Sequence, residues 1–263
     1  MRIYSWNMYF QNRELDSAVD FISKSDFGIF CLQEVPDEML ERLKTLPCHL
    51  AYETHWDIVH RSGRTRVHGV ILSRYPFVHQ GTFPIPSWDK GFPLRARLFR
   101  RLMELLGFWK ETLYRENRNG LFVDINFGRH GLVRVFCIHL SLTNPLWRAE
   151  ELELALVADD PTTSTIICGD FNTIESPFSG PLNWIMGGRM SDWLFWRRER
   201  ATLKGRLAAA GLTNPLAGKR THPISRSQLD HILLSHHFSA ISARVLPERY
   251  GSDHYPICVE TEN

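Results

Sequence analysis

Ile167-Cys168-Gly169-Asp170-Phe171-Asn172-Thr173 is an apolar run that stops on an acid, followed two residues later by an amide. A short run of this kind reads as a buried strand, and its polar end as the rim of a sheet where α/β enzymes present reactive groups. Three other phrases have the same design. They are Leu32-Gln33-Glu34-Val35, Leu229-Asp230-His231-Ile232 and Gly251-Ser252-Asp253-His254-Tyr255-Pro256-Ile257. The acids and histidines therefore read as one collected site rather than as scattered surface polarity.

Working outward, strands are predicted at about Arg2–Asn7, Gly28–Gln33, Gly69–Ser73, Leu121–Asn126, Val133–His139, Thr165–Gly169, Leu229–Leu234 and Tyr255–Glu260. Helical spacing falls between some of them. Leu15, Val19 and Ile22 mark 14–25, and Met39, Leu40 and Leu43 mark 37–46. Asn144-Pro145 ahead of 146–158 reads as an N-cap with proline at the first helical position. Strand-helix-strand order gives way to hairpin-like pairs, which predicts an α/β sandwich with mixed sheets. With no repeats and no low-complexity linker, one domain over 1–263 is the economical expectation.

The 263 residues are 43% hydrophobic and 23% charged, ordinary values for a globular chain with a sizeable core. No apolar run is long enough to cross a membrane, and Met1-Arg2-Ile3-Tyr4 enters a strand pattern without a leader. The five cysteines form no CxxC, which argues against zinc. Four of them sit in strand-like runs as small hydrophobes, and a cytoplasmic, reducing location is expected. The net charge of +2 hides an asymmetry: residues 88–118 and 184–206 each carry +4, and the remainder −6. Five of the eight tryptophans lie in those two segments. They read as insertions, at about 84–118 and 183–206, suited to a polyanion or a membrane surface. Leu94, Leu98, Leu102 and Leu105 share a helical face. That helix reads equally as one packed on the core with its arginines solvated.

The chemistry follows from the residue types. Glu34, Asp170, Asp230 and Asp253 would repel one another if gathered, and a hard divalent cation such as Mg²⁺ would neutralise them. Asp253 and His254 leave an extended chain on opposite sides, so Asp230 is the better partner to orient His254. Asp170 and Asn172 would project together, with Phe171 opposite in the core. Asn7 and His139 end their strands at the same rim. Taken singly, Asn7, His139 and Asp230 read as turn, strand-end or sheet-edge polar groups; taken together the set reads as a site. His60, His222, His231, His236 and His237 read as structural or surface histidines.

In this order, the phrases from Ser5-Trp6-Asn7 through Gly69-Val70-Ile71-Leu72-Ser73 and Cys137-Ile138-His139-Leu140-Ser141 to Ser252-Asp253-His254 resemble the endonuclease/exonuclease/phosphatase superfamily, the relatives of pancreatic deoxyribonuclease. The resemblance implies a four-layer α/β sandwich, two facing mixed β-sheets flanked by helices. It implies Mg²⁺- or Mn²⁺-dependent cleavage of a phosphodiester by an activated water. It casts Glu34, with Asn7 and Asp253, near the metal, and Asp170 and Asn172 as the pair that positions water and phosphate. His254 is then the catalytic histidine, Asp230 its carboxylate partner, and His139 a donor to substrate oxygen. Specificity would reside in the insertions. There Trp88, Trp109, Trp193 and Trp196, with Arg197 and Arg198, could track and stack on nucleic acid, the first expectation. Alternatively Trp184, Trp193, Phe195 and Trp196 could rest at a lipid interface, as in a peripheral lipid or inositol phosphoesterase. A phosphate-binding module without turnover is the third reading. No obligate protein partner is expected.

Overall fold

The computed structural model describes residues 1–60, 63–86, 93–106, 112–114, 119–128, 131–142, 144–159, 163–175, 179–195 and 197–262. Among these residues the first sheet has seven strands in the order β12-β13-β1-β2-β4-β3-β6. These are Ala240–Val245, Ile257–Thr261, Arg2–Asn7, Ile29–Pro36, Gly63–Ser73, His49–His60 and Thr112–Tyr114. The second has six in the order β10-β11-β9-β8-β7-β5. These are Leu212–Thr213, Asp230–Ser235, Ser164–Asp170, Leu132–His139, Asn119–Asn126 and Phe77–Pro84. The pairs β1–β2 and β8–β9 are parallel and the rest antiparallel, so both sheets are mixed.

Strand alternation explains the layers. Ile3, Ile29, Cys31, Val133, Val135, Cys137, Ile166, Cys168, Ile232 and Val259 point inward and form the core between the sheets. Their neighbours Tyr4, Trp6, Phe30, Leu32 and Cys258 point outward, beneath α1 (Leu15–Lys24) and α2 (Asp37–Leu43). On the other side Phe136, Ile138, Ile167 and Leu233 meet α4 (Pro145–Val157) and α7 (Arg198–Ala209). Two sheets flanked by helices give the expected four-layer sandwich.

At α4 the expected cap is present: the Asn144 side chain accepts from the Leu146 N–H at 3.1 Å, with Pro145 at the first helical position. All five cysteines are free, and Cys31, Cys137, Cys168 and Cys258 are buried. Among the described residues, no helix is long and apolar enough to cross a membrane.

Some elements were not predicted. β3 is rich in His, Glu, Asp and Thr, and it lacks an apolar run to announce it. β5 and β12 lie at or next to a sheet edge and are mostly exposed, so burial imposes no alternation on them. In its described residues, the aperiodic basic segment near 183–206 folds as three helices: α5 (Ser179–Ile185), α6 (Met190–Leu194) and α7. β13 begins at Ile257 rather than Tyr255, because the chain bends through Asp253 and His254 instead of running extended.

Candidate active site

Register brings the polar strand ends together. In β9, His139 of β8 and Asp230 of β11 are both Cα partners of Asp170. All three occupy the parity that points between the sheets, continuing Val135-x-Cys137-x-His139, Ile166-x-Cys168-x-Asp170 and Asp230-x-Ile232. Asn7 continues Ile3-x-Ser5 on the facing sheet. The inner core is thus apolar along its length and turns polar at one mouth.

Glu34 does not follow this rule. Cys31 points inward, so simple alternation would turn Glu34 outward. The β2–β4 register shifts between Leu32 and Val35, and Glu34 takes φ 55°. This bulge re-aims the carboxylate. Its Oε1 accepts from Asn7 Nδ2 at 3.3 Å and its Oε2 from the Phe10 N–H at 3.2 Å.

The Asn7 amide also donates to Asp170 Oδ2 at 3.0 Å, bridging two carboxylates from facing sheets. Its Oδ1 accepts from the Tyr9 N–H at 3.0 Å, so nitrogen rather than oxygen faces the acids. Ligation of a cation by Asn7 would require that amide to turn. Gln33, beside Glu34, is fully buried and spans the sheets to Cys137 Sγ at 3.4 Å.

His254 sits at the centre. Its Nδ1 is 2.9 Å from Asp230 Oδ2, and its Nε2 is 3.7 Å from Asp170 Oδ2, beyond hydrogen-bond range. The loop is held by Ser252, whose hydroxyl donates to the Asn7 carbonyl at 2.7 Å and accepts from the His254 N–H at 3.0 Å. Trp6 Nε1 donates to the His254 carbonyl at 3.2 Å. Burial opposes a charge on His254, but the carboxylates of Asp230 and Asp170 outweigh it and hold the imidazole at about 10. It is an imidazolium at neutral pH, able to donate from Nε2 to a substrate oxygen.

Asp170 and Asn172 are both buried, but the chain between them is not extended: Asn172 has φ 50°. The Asn172 N–H donates to Asp170 Oδ1 at 2.8 Å. Its side-chain nitrogen reaches the Leu140 carbonyl at 2.9 Å and lies 3.0 Å from His139 Nε2. His139 Nε2 is 3.6 Å from Asp170 Oδ2 and 3.9 Å from Glu34 Oε1, under the ring of Trp56 at 4.9 Å. Phe171 is buried on the outer side as expected, against Leu203 and Leu207.

Burial raises the Glu34 carboxyl to about 7, with the nearby Asp253 charge adding to the rise. Burial also raises Asp170, and Asp230 adds to it against the pull of His254. These are buried acids supported by N–H donors and repelled by one another. Carboxylate oxygens suit a hard divalent cation, and among the described residues the ligand atoms close enough together to share one belong to Asp170, Asp230 and His254 and to His222, Asp253 and His254. Such an ion would supply charge stabilisation at a phosphoryl oxygen and let both acids ionise.

Two residues stand differently from their reading in the sequence: His222, read as a structural or surface histidine, and Arg200. His222 Nε2 lies 3.9 Å from Asp253 Oδ2, and its ring centroid is 4.8 Å from that of His254. Burial alone would raise the Asp253 carboxyl, but the neighbouring imidazoles of His222 and His254 lower it. Thr221-His222-Pro223 carries no periodic or strand-end signal. Arg200, counted with the basic segment, turns inward: it donates to the carbonyls of Gln228 at 2.5 Å and Thr173 at 3.2 Å, and lies 2.9 Å from His231 Nε2. Burial and that guanidinium push His231 down to about 3, so it is a neutral structural histidine, as expected.

Of the other candidates, Trp193 pairs with Trp184 at 5.7 Å, Arg197 is exposed, and Arg198 walls a cavity of about 230 Å³ with Phe171, Thr173 and Phe195. Trp196, Trp88 and Trp109 lie outside the described residues.

The profile of the Endonuclease/Exonuclease/phosphatase family matches residues 4–254. Among solved structures, an endonuclease/exonuclease/phosphatase family protein from Leptotrichia buccalis C-1013-b is similar over 100% of both chains, with TM-score 0.68 and 14% identity. The mannosyl-6-phosphatase of Bacteroides thetaiotaomicron VPI-5482 is similar over 100% of both chains, with TM-score 0.57 and 17% identity. A 3′ phosphatase from Neisseria, bound to product DNA hairpin, is similar over 100% of this chain and 99% of that one, with TM-score 0.58 and 17% identity. At such identities the likeness is one of fold. No curated protein matches the chain.

Proposed function

The chain belongs to the endonuclease/exonuclease/phosphatase family, and from that premise we propose that it hydrolyses a phosphodiester by attack of a water, assisted by Mg²⁺ or Mn²⁺, in a single domain over 1–263. The observation that carries this reading is the buried chain Asp230–His254–Asp170, with Asp230 Oδ2 2.9 Å from His254 Nδ1 and Asp170 Oδ2 3.7 Å from Nε2. Asp170, raised by its burial, orients and deprotonates the water. The imidazolium of His254 donates to a phosphoryl oxygen and stabilises its growing charge. Asn172 and His139 would turn from their mutual contact to hold the phosphate, and Glu34, with Asp253 beside it, would hold the cation.

A nucleic-acid strand is the first substrate to test. The DNA-bound neighbour supports it, as do Arg197 and Arg198, exposed on the insertion. A lipid or inositol phosphoester is the second reading, favoured by the exposed apolar side chains Trp193, Leu194 and Phe195 beside those arginines. The test is turnover of DNA, RNA, sphingomyelin, inositol phosphates and bis-p-nitrophenyl phosphate with Mg²⁺ or Mn²⁺, by wild type and Asp170→Asn. Hydrolysis lost in the variant supports the reading. No hydrolysis of any of these by wild type would leave a phosphate-binding module.

A further inference from the structure

The helix α3 (Leu94–Leu105) does not bury its leucines. It packs through Ala96, which is 1% exposed, and through half-buried Phe99 and Met103. Leu94, Leu98, Leu102 and Leu105 lie on another face and are between 54 and 87% exposed. This removes the expectation that the leucine stripe seats the helix on the core. Arg97 and Arg101, one turn apart, are exposed along one edge of the stripe. Arg95 leaves the other edge to donate to the carbonyls of Trp184 at 2.7 Å and Gly188 at 3.0 Å. Its guanidinium lies 5.2 Å from the centroid of the Trp184 ring. Those contacts fix α3 against α5 and the turn leading to α6.

The apolar surface continues there. Met190, Trp193, Leu194 and Phe195 are each exposed, Phe195 by 59%, and Arg189, Arg197 and Arg198 are exposed around them. Asp192, the acid among them, is turned back to accept from the Arg189 N–H at 2.6 Å. The result is an apolar surface rimmed by guanidinium groups, formed by two segments tied together. Phe195 and Arg198 also line a cavity with Phe171 and Thr173 on the outer side of the second sheet.

We propose that this face, α3 with α6, docks the protein onto an anionic lipid bilayer. Leucines with arginines at their edge match an acyl layer beneath anionic headgroups, because the side chains can bury their apolar parts while the charges stay at the interface. A nucleic-acid strand suits the leucines poorly, since they offer neither a stacking face nor a hydrogen bond to a base. The inference goes beyond the hydrolytic reading and is tested without turnover.

The experiment is sedimentation in EDTA with vesicles of phosphatidylcholine alone and of phosphatidylcholine with phosphatidylglycerol. Wild type should pellet with the anionic vesicles and be released by salt. Leu98→Glu/Leu102→Glu should bind them at least about tenfold more weakly, with an unchanged melting temperature. Arg97→Glu/Arg101→Glu should lose the preference for anionic over neutral vesicles. Absence of wild-type binding to either vesicle would overturn the proposal. So would a leucine variant that binds as wild type does, or one that instead abolishes self-association or DNA binding. A soluble-diester assay that fails while docking persists would sink the hydrolytic reading alone.

Discussion

Asp230 and His254 come from elements separated by 24 residues and meet at 2.9 Å, Oδ2 to Nδ1, with both side chains buried. That contact fixes the ring and aims Nε2 at Asp170. Asp230→Asn keeps the shape but removes a charge that holds His254 protonated. The expected result is a fall of about 10²–10⁴-fold in kcat/KM for a soluble diester. NMR titration should show the His254 pKa falling from about 10 toward the ordinary histidine value. Full activity in this variant would contradict the assigned pair.

The pH dependence of the metal-free protein has a defined sign. Burial raises Glu34 from 4.5 to about 7, so between those values the folded state binds a proton that the unfolded state has lost. Stability in EDTA should therefore fall as pH rises through that window. His254, raised from 6.5 to about 10, contributes stability that is complete below 6.5 and lost on approach to 10. Glu34→Gln should flatten the lower window and stabilise the metal-free fold by about 1–3 kcal/mol at pH 8. Thermal melts from pH 4.5 to 8 measure this.

The same variant should need more metal. Losing one anionic ligand is expected to raise the Mg²⁺ concentration for half-maximal activity by about tenfold or more. Wild-type Tm should rise with Mg²⁺ more than the variant's. Equal metal dependence would remove Glu34 from the cation site.

Arg200→Met separates structural from substrate-binding arginines. The guanidinium ties α7 to the Thr173 and Gln228 carbonyls beneath the site loop. Its loss leaves buried acceptors without their donor, and a destabilisation of about 2–4 kcal/mol is expected in urea unfolding. A variant as stable as wild type with altered substrate KM would reverse this assignment.

Gly169→Ala tests the strand beside Asp170. Gly169 has φ 154°, and an added Cβ would stand 1.9 Å from the Ile138 carbonyl oxygen. That contact is with the backbone of the adjoining strand and cannot be relieved by a side-chain rotation. Loss of stability by about 2–4 kcal/mol, together with loss of activity, is expected from unfolding curves and diester hydrolysis.

Much of this was legible one strand at a time. Buried central strands such as Arg2–Asn7 leave apolar runs, and the polar residues ending them, Asn7, His139 and Asp170, follow from period-two alternation. Edge strands and the polar β3 were silent, because burial does not select their side chains. The insertions misled for a related reason. A leucine stripe reads alike whether it faces a core or solvent, and a basic count does not separate inward Arg200 from outward Arg197.

The sequence by itself determined the mixed α/β sandwich and which acids, amides and histidines stand at strand ends, since those depend on local periodicity. Tertiary structure alone decided that Glu34 turns inward at a bulge, that His222 stands beside Asp253 and that the leucines of α3 are left exposed. Each of these depends on which surface lies opposite, and that is set by register and layer packing rather than by a residue's neighbours in the chain.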